Sequence, residues 1–231
     1  MSSQFSVVIP AAGIGRRMNS DTPKQYLTIL NQTVIEHTIT RLNQHPRVGT
    51  IVVVLHPDDR HFDSLAVARL ANVFTVQGGD ERVDSVLAGL TWLSSQHLDS
   101  AWVLVHDAAR PCIPLSDLTE LIKLAEQPQA LDQSGGILAY RVRDTMKRGS
   151  DIILATESRE HLWHALTPQF FPLEILINAI EKAQLDRVLI TDEASAMEYS
   201  GYTVALVEGS SKNIKITSPD DLKLAEFYLS N

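Results

Sequence analysis

The chain has 231 residues, 44% of them hydrophobic, a single cysteine and a formal charge of −8. Such a length and apolar fraction suit one substantial α/β domain and exclude general disorder. No apolar run approaches the ~20 residues of a membrane-spanning helix, lone Cys112 excludes an intrachain disulfide or a cysteine-based metal site, and the acidic balance disfavours a nucleic-acid partner.

The N-terminus, MSSQFSVVIPAAG, has no basic region and too short an apolar core for a secretory signal, so a cytoplasmic location is expected. Phe5–Ile9 reads as a short buried strand. It runs into Pro10–Gln25 (PAAGIGRRMNSDTPKQ), where small residues and glycines give way to Arg16, Arg17 and Lys24. Gly13 and Gly15 free the backbone for close approach, and exposed amides with adjacent cations make a nest for anions. The dinucleotide pattern GxGxxG fails because Met18 holds its third glycine position, and GxxxxGK[ST] is absent. An exposed basic loop is the plainer alternative to a phosphate site. Cations also cluster at Arg141/Arg143 and Lys147/Arg148, a local pattern that suits a small phosphorylated ligand better than a polyanion.

Further strands are predicted at Thr50–Leu55, Val73–Gln77 and Ala101–His106. All are continuously apolar, as parallel strands covered on both faces are. Helices are predicted between them near Val34–Leu42, Asp59–Leu70 and Glu81–Leu93, the last with Asp80 as N-cap. The alternation predicts an α/β fold with a mainly parallel sheet flanked by helices. After Gly136 the rhythm breaks. Arg141–His161 is charged, carries Gly149-Ser150 as a turn and reads as a β-hairpin arm on one domain spanning 1–231. Helices resume at Pro172–Gln184 and Asp192–Ser200, the second with Thr191 as N-cap. Asn213–Thr217 (NIKIT) alternates, which sets Lys215 on the face away from Ile214 and Ile216. Ser218-Pro219-Asp220-Asp221 opens a final helix.

Ligands of open parallel sheets bind beyond the strands' carboxyl ends. Pro10–Gly15, Gly78-Gly79-Asp80 and Asp107–Arg110 all follow strands in that way. The Asp107 carboxylate can serve Mg²⁺ beside phosphates, or it can cap a turn. His161 and His164 form HxxH without a third ligand nearby, so packing is the expected use. His106, inside an apolar strand, reads as a satisfied buried imidazole. No GxSxG elbow supports a hydrolase.

PAAGIGRRM…PKQY, GGDERVDSV, VHDAARP, VRDTMKR, WHALTPQFF, ITDEASAMEY and NIKIT together resemble the 2-C-methyl-D-erythritol 4-phosphate cytidylyltransferases, in that family's order and over nearly the whole chain. The resemblance implies a Rossmann-like nucleotidyltransferase fold. It also implies attack of methylerythritol phosphate on the α-phosphorus of CTP, releasing pyrophosphate. By the same resemblance, Pro10, Ala11, Ala12 and Gly13 would wrap the nucleotide with Gly79, Asp80 and Ser85. Arg17 and Lys24 would stabilise the transition state, and Lys215 would align the phosphates. Asp107 would hold Mg²⁺ and orient substrate beside Arg110, while Thr145, Arg159 and Thr167 would hold methylerythritol phosphate. The arm, at about 141–161, would join a homodimer and donate Thr145 and Arg159 in trans. A ribitol 5-phosphate cytidylyltransferase is the nearest alternative, but HDAARP and VRDTMKR favour the first. An inactive nucleotide-binding module would be expected to lack Arg17, Lys24 or Asp107, and all three are present.

Overall fold

The computed structural model describes residues 4–13, 22–96, 101–126 and 133–230. Past β1 (Phe5–Pro10) a 3-10 turn at Lys24–Tyr26 leads to the short strands β2 (Thr28–Ile29) and β3 (Gln32–Thr33). The helix α1 (Val34–Asn43) and the strand β4 (Val48–Leu55) follow. α1 begins at a reciprocal cap: the Glu36 amide donates to Thr33 Oγ1 at 3.3 Å and the Thr33 amide to Glu36 Oε2 at 2.9 Å. It buries Ile35, Ile39 and Leu42, a stripe at i, i+4 and i+7.

Where a helix was expected over Asp59–Leu70, the chain forms two 3-10 turns, Phe62–Ser64 and Ala66–Arg69, parted by extended Leu65. The buried anchors Phe62 and Val67 lie five apart, a spacing that no single α-helical face repeats. Next come β5 (Val73–Gln77), α2 (Arg82–Ser95), β6 (Trp102–Val105) and α3 (Leu115–Ile122). The N-cap of α2 is Glu81, whose amide donates to Asp84 Oδ2 at 3.0 Å, and not Asp80. β7 (Gln133–Arg141) precedes the arm, which is the expected hairpin of β8 (Met146–Gly149) and β9 (Ile153–Glu157). After it run β10 (Trp163–Pro172), α4 (Leu173–Leu185), α5 (Glu193–Tyr199), β11 (Thr203–Glu208) and α6 (Pro219–Ser230). Asp192, not Thr191, caps α5, because its carboxylate reaches the Ser195 amide at 3.0 Å.

The described residues form a seven-stranded sheet in the order β11-β7-β10-β6-β1-β4-β5. Only β10 is antiparallel to its neighbours. β1 sends Phe5, Val7 and Ile9 into one core and Val8 into the other, and β4 divides Ile51 and Val53 from Val52 and Val54 in the same way. Both faces are therefore covered, by α1 and α3 on one side and by α2, α4 and α5 on the other. β10 sits inside the sheet despite Pro168. Its register against β7 shifts between Ala165 and Gln169, so no regular ladder bond is demanded of the proline. Phe170 and Phe171 are buried in opposite cores, worth roughly 1.5–3 kcal/mol each, against about 1 kcal/mol for a single ladder bond.

β1 connects onward to β4 on one side, whereas the chain leaving β5 returns through α2 to β6 on the other side of β1. The carboxyl ends of β1 and β6 thus flank a crevice at the point where the connections diverge.

Candidate active site

A cavity of about 690 Å³ opens at that edge. Its first wall is the turn after β1. The Ala11 amide continues the ladder to Val54 O at 2.8 Å, and buried Gln25 secures the rest. The Gln25 side-chain amide donates to Ala11 O at 2.8 Å and to Gly13 O at 3.1 Å. The second wall follows β5. A Cβ on Gly78 would stand 2.6 Å from Ser85 Oγ and 2.8 Å from Ala12 Cβ, and one on Gly79 would stand 2.5 Å from Asp84 Cβ. The glycines let the first turn of α2 close on the β1 turn, and Gly78, Gly79 and Ser85 line the cavity beside Asp80, Glu81 and Arg82.

The third wall follows β6. Asp107 is buried, and among the described residues three cations converge on its carboxylate. Lys215 Nζ lies 2.9 Å from Oδ2, Arg110 Nε 3.3 Å from Oδ2, and Arg82 Nε donates to Oδ1 at 3.3 Å. Burial alone would raise the Asp107 carboxyl, but Arg82, Lys215 and Arg110 outweigh it and hold the group well below the usual carboxylate range. Its oxygens therefore serve side-chain cations rather than capping a turn. Burial opposes the charge of Arg82 too, and Glu193 with Asp107 overcomes it and raises the guanidinium. Glu193 is pushed up by burial against the pull of Arg82.

Residues 213–217 bring Lys215 to this wall without joining the sheet as a strand. Asn213 Nδ2 donates to Thr167 O at 2.7 Å, and Arg110 Nη1 donates to Asn213 O at 2.7 Å. The Ile216 amide donates to Ala109 O at 2.9 Å, and Lys24 Nζ to Ile216 O at 3.0 Å. Ile216 packs into the cluster under α6, so Lys215 points the opposite way, as the alternation predicted. Asn213 is buried by its bonds to the neighbouring walls.

Behind Asp107 its amide donates to Thr167 Oγ1 at 3.0 Å. That hydroxyl's own proton then goes to His106 Nδ1 at 3.0 Å, which assigns the ring proton to Nε2, donating to Arg110 O at 3.1 Å. Burial lowers the His106 pKa to about 4, so the imidazole is neutral and satisfied as its apolar setting suggested. His164 stacks on Tyr140, 4.5 Å between ring centres, and no group of three or more metal-ligating side chains occurs among the described residues.

Of the residues singled out in the sequence, Pro10, Ala11, Ala12, Gly13, Lys24, Gly79, Asp80, Ser85, Asp107 and Lys215 line this one cavity. Arg110 and Thr167 lie buried behind Asp107. Thr145 and Arg159 stand exposed on the arm, away from the cavity lining, and Arg159 Nη1 donates to Arg143 O. Arg17, with Gly15 and Arg16, lies outside the described residues. Gln25, Arg82 and Glu193 escaped the sequence reading. Each sits inside a quoted block (PKQY, GGDERVDSV, ITDEASAMEY), but no spacing rule links positions so far apart.

A family model described as 2-C-methyl-D-erythritol 4-phosphate cytidylyltransferase matches residues 5–231. The proteins of that name from Photorhabdus laumondii and Pseudoalteromonas atlantica are 55% and 56% identical to this chain. The alignments cover 99% and 98% of it, and 96% of each relative. A crystal structure of 4-diphosphocytidyl-2C-methyl-D-erythritol synthase matches with a TM-score of 0.83 at 37% identity, covering 99% of both chains. That of the Francisella tularensis cytidylyltransferase matches at 0.80 and 33%, covering 98% of this chain and 100% of that one. With residues 5–231 matched by the family model, its fold shared and most of its motif residues at or beside one cavity, the chain belongs to the 2-C-methyl-D-erythritol 4-phosphate cytidylyltransferase family.

Proposed function

We propose that this protein transfers the cytidylyl group of CTP to 2-C-methyl-D-erythritol 4-phosphate, releasing pyrophosphate, in the making of isoprenoid precursors. The observation that carries this reading is one cavity whose lining combines small residues with cations. Its volume falls in the range of small-molecule sites, about 300–1,000 Å³. Ala11, Ala12, Gly13, Gly78, Gly79 and Ser85 share its lining with Lys24, Arg82, Asp107 and Lys215. Pro10–Gly13, Gly79, Asp80 and Ser85 would enclose the nucleotide.

A phosphate monoester is largely dianionic at neutral pH, so its oxygen attacks the α-phosphorus without a general base. The obstacle is repulsion between two anions. Lys24, joined by Arg17, would stabilise the transferring group, and Lys215 would align the phosphates. Loss of one such preorganised charge costs on the order of 3 kcal/mol of barrier. Arg110 and Thr167 would act from behind by setting the side chain and amide of Asp107.

Mg²⁺ takes one or two carboxylates and completes its shell with phosphate oxygens and water. Asp107, held ionised at the cavity wall, fits as that carboxylate. Held by Asp107, the ion would neutralise part of the triphosphate's charge.

The reading also has the chain working in the cytoplasm as a homodimer. Ile152 and Leu154, on the arm, are 76% and 77% exposed, and apolar side chains so presented suit a protein partner. A second copy would receive Thr145 and Arg159 at its own substrate end.

The test is pyrophosphate release from CTP, Mg²⁺ and methylerythritol phosphate, with ribitol 5-phosphate in a parallel arm. No release with methylerythritol phosphate overturns the reading. Activity that survives a chelator removes Mg²⁺ from it, and sedimentation showing monomer alone removes the role of the arm.

A further inference from the structure

The groups that orient Asp107 reach beyond the cavity. Arg82, at the start of α2, lies between two carboxylates. Its Nη1 and Nη2 meet both oxygens of Glu193 at 2.6 and 3.2 Å. Its Nε and Nη2 both stand 3.3 Å from a single oxygen of Asp107, Oδ1. The other oxygen, Oδ2, faces Lys215 and Arg110. The carboxylate is thus anchored through Oδ1 and presents Oδ2 beside Lys215, a residue of the cavity wall.

Glu193 is 2% exposed on the first turn of α5, and among the described residues its side-chain hydrogen bonds go to Arg82. Taking a carboxylate and a guanidinium out of water costs several kcal/mol per ion, and an apolar pair of equal volume often matches such a bridge in stability. Folding stability therefore gives a weak reason for an acid here. Geometry gives a better one. A guanidinium whose one edge is held by Glu193 can offer the other edge to Asp107 in a fixed plane, which a lysine ammonium cannot do.

We infer that Glu193 is a positioning residue: through Arg82 it fixes the rotation of the Asp107 carboxylate and keeps Oδ2 turned to the reacting phosphates. The inference rests on the proposed role of Asp107. Its test is a cycle of Glu193→Gln and Asp107→Asn, alone and combined, with melting temperatures as the check on folding. Glu193→Gln preserves volume. Alone, it lowers kcat about tenfold and leaves KM for CTP within twofold; on the Asp107→Asn background it lowers kcat less than twofold. A crystal structure of Glu193→Gln shows Arg82 turned away from Oδ1. Should that variant not fold, Arg82→Lys is put through the same cycle, with the same pattern expected. Unchanged kcat in a folded variant, or equal losses on both backgrounds, overturns the inference. Full turnover by Asp107→Asn alone is a different failure, because it removes the role of Asp107 itself.

Discussion

Gln25→Met isolates the clamp on the β1 turn. Methionine matches glutamine in length and fills the same 4%-exposed site, but it cannot donate. The change removes the bonds to Ala11 O at 2.8 Å and Gly13 O at 3.1 Å. Gly13 is exposed, so its carbonyl can turn to water and adds little. Ala11 is buried, and leaving its carbonyl unpaired costs about 1–3 kcal/mol. If that energy holds the turn in the shape that receives the nucleotide, its loss raises KM for CTP between about fivefold and about 150-fold. Turnover at saturating CTP changes little, since Gln25 bonds the turn and not the charged wall. Initial rates over a range of CTP, with hydrogen exchange at the Ala11–Gly13 amides, provide the measurement. A KM within twofold of the parent, with unchanged exchange, would refute the clamp.

Lys24→Ala is expected to lower kcat about a hundredfold, the usual cost of a preorganised charge, while melting shifts by only a few degrees; full activity would remove its catalytic role. Gly89→Ala should destabilise although alanine is the better helix former, because its Cβ would lie 2.7 Å from Val8 Cγ1 and 2.9 Å from Val54 Cγ2. Overpacking of about 1–3 kcal/mol outweighs the ~1 kcal/mol of propensity, so a raised urea midpoint would contradict the close packing of α2 on the sheet. His106 makes stability pH-dependent. The unfolded imidazole takes its proton near 6.5 and the folded one near 4, so acid favours the unfolded state across that window and stability falls as pH drops from 6.5 to 4. The full loss is about 3 kcal/mol, at 1.36 kcal/mol per unit. Denaturant midpoints through that window should fall less steeply in His106→Gln, and identical slopes would exclude His106 as the source.

Much of the fold was legible because it follows from local chemistry. The runs of β1, β4 and β6 are largely apolar since both faces are covered, β5 at the sheet edge buries Val73 alone, and the hairpin arm announced itself by charge around Gly149-Ser150. The segment around Phe62 and Val67 was misread because helix-like composition says nothing of the short span it bridges. β10 went unread because Pro168 argues against a central strand, and only its partners show where the register lets the proline pass.

The site divides along the same line. By itself the sequence determined that a glycine-bearing turn follows a buried strand and that Asp107 closes another, for both are properties of consecutive residues. Tertiary structure alone decided what those residues meet. Glu193 reaches Arg82 across 111 positions, Lys24 reaches Ile216 O across 192, and Lys215 is delivered to Asp107 by a segment tied to Ala109 and Thr167. Local propensity acts over a few residues. The strand order, set by burying both sheet faces at once, chooses which distant charges share a wall and so gives Asp107 its charge and orientation.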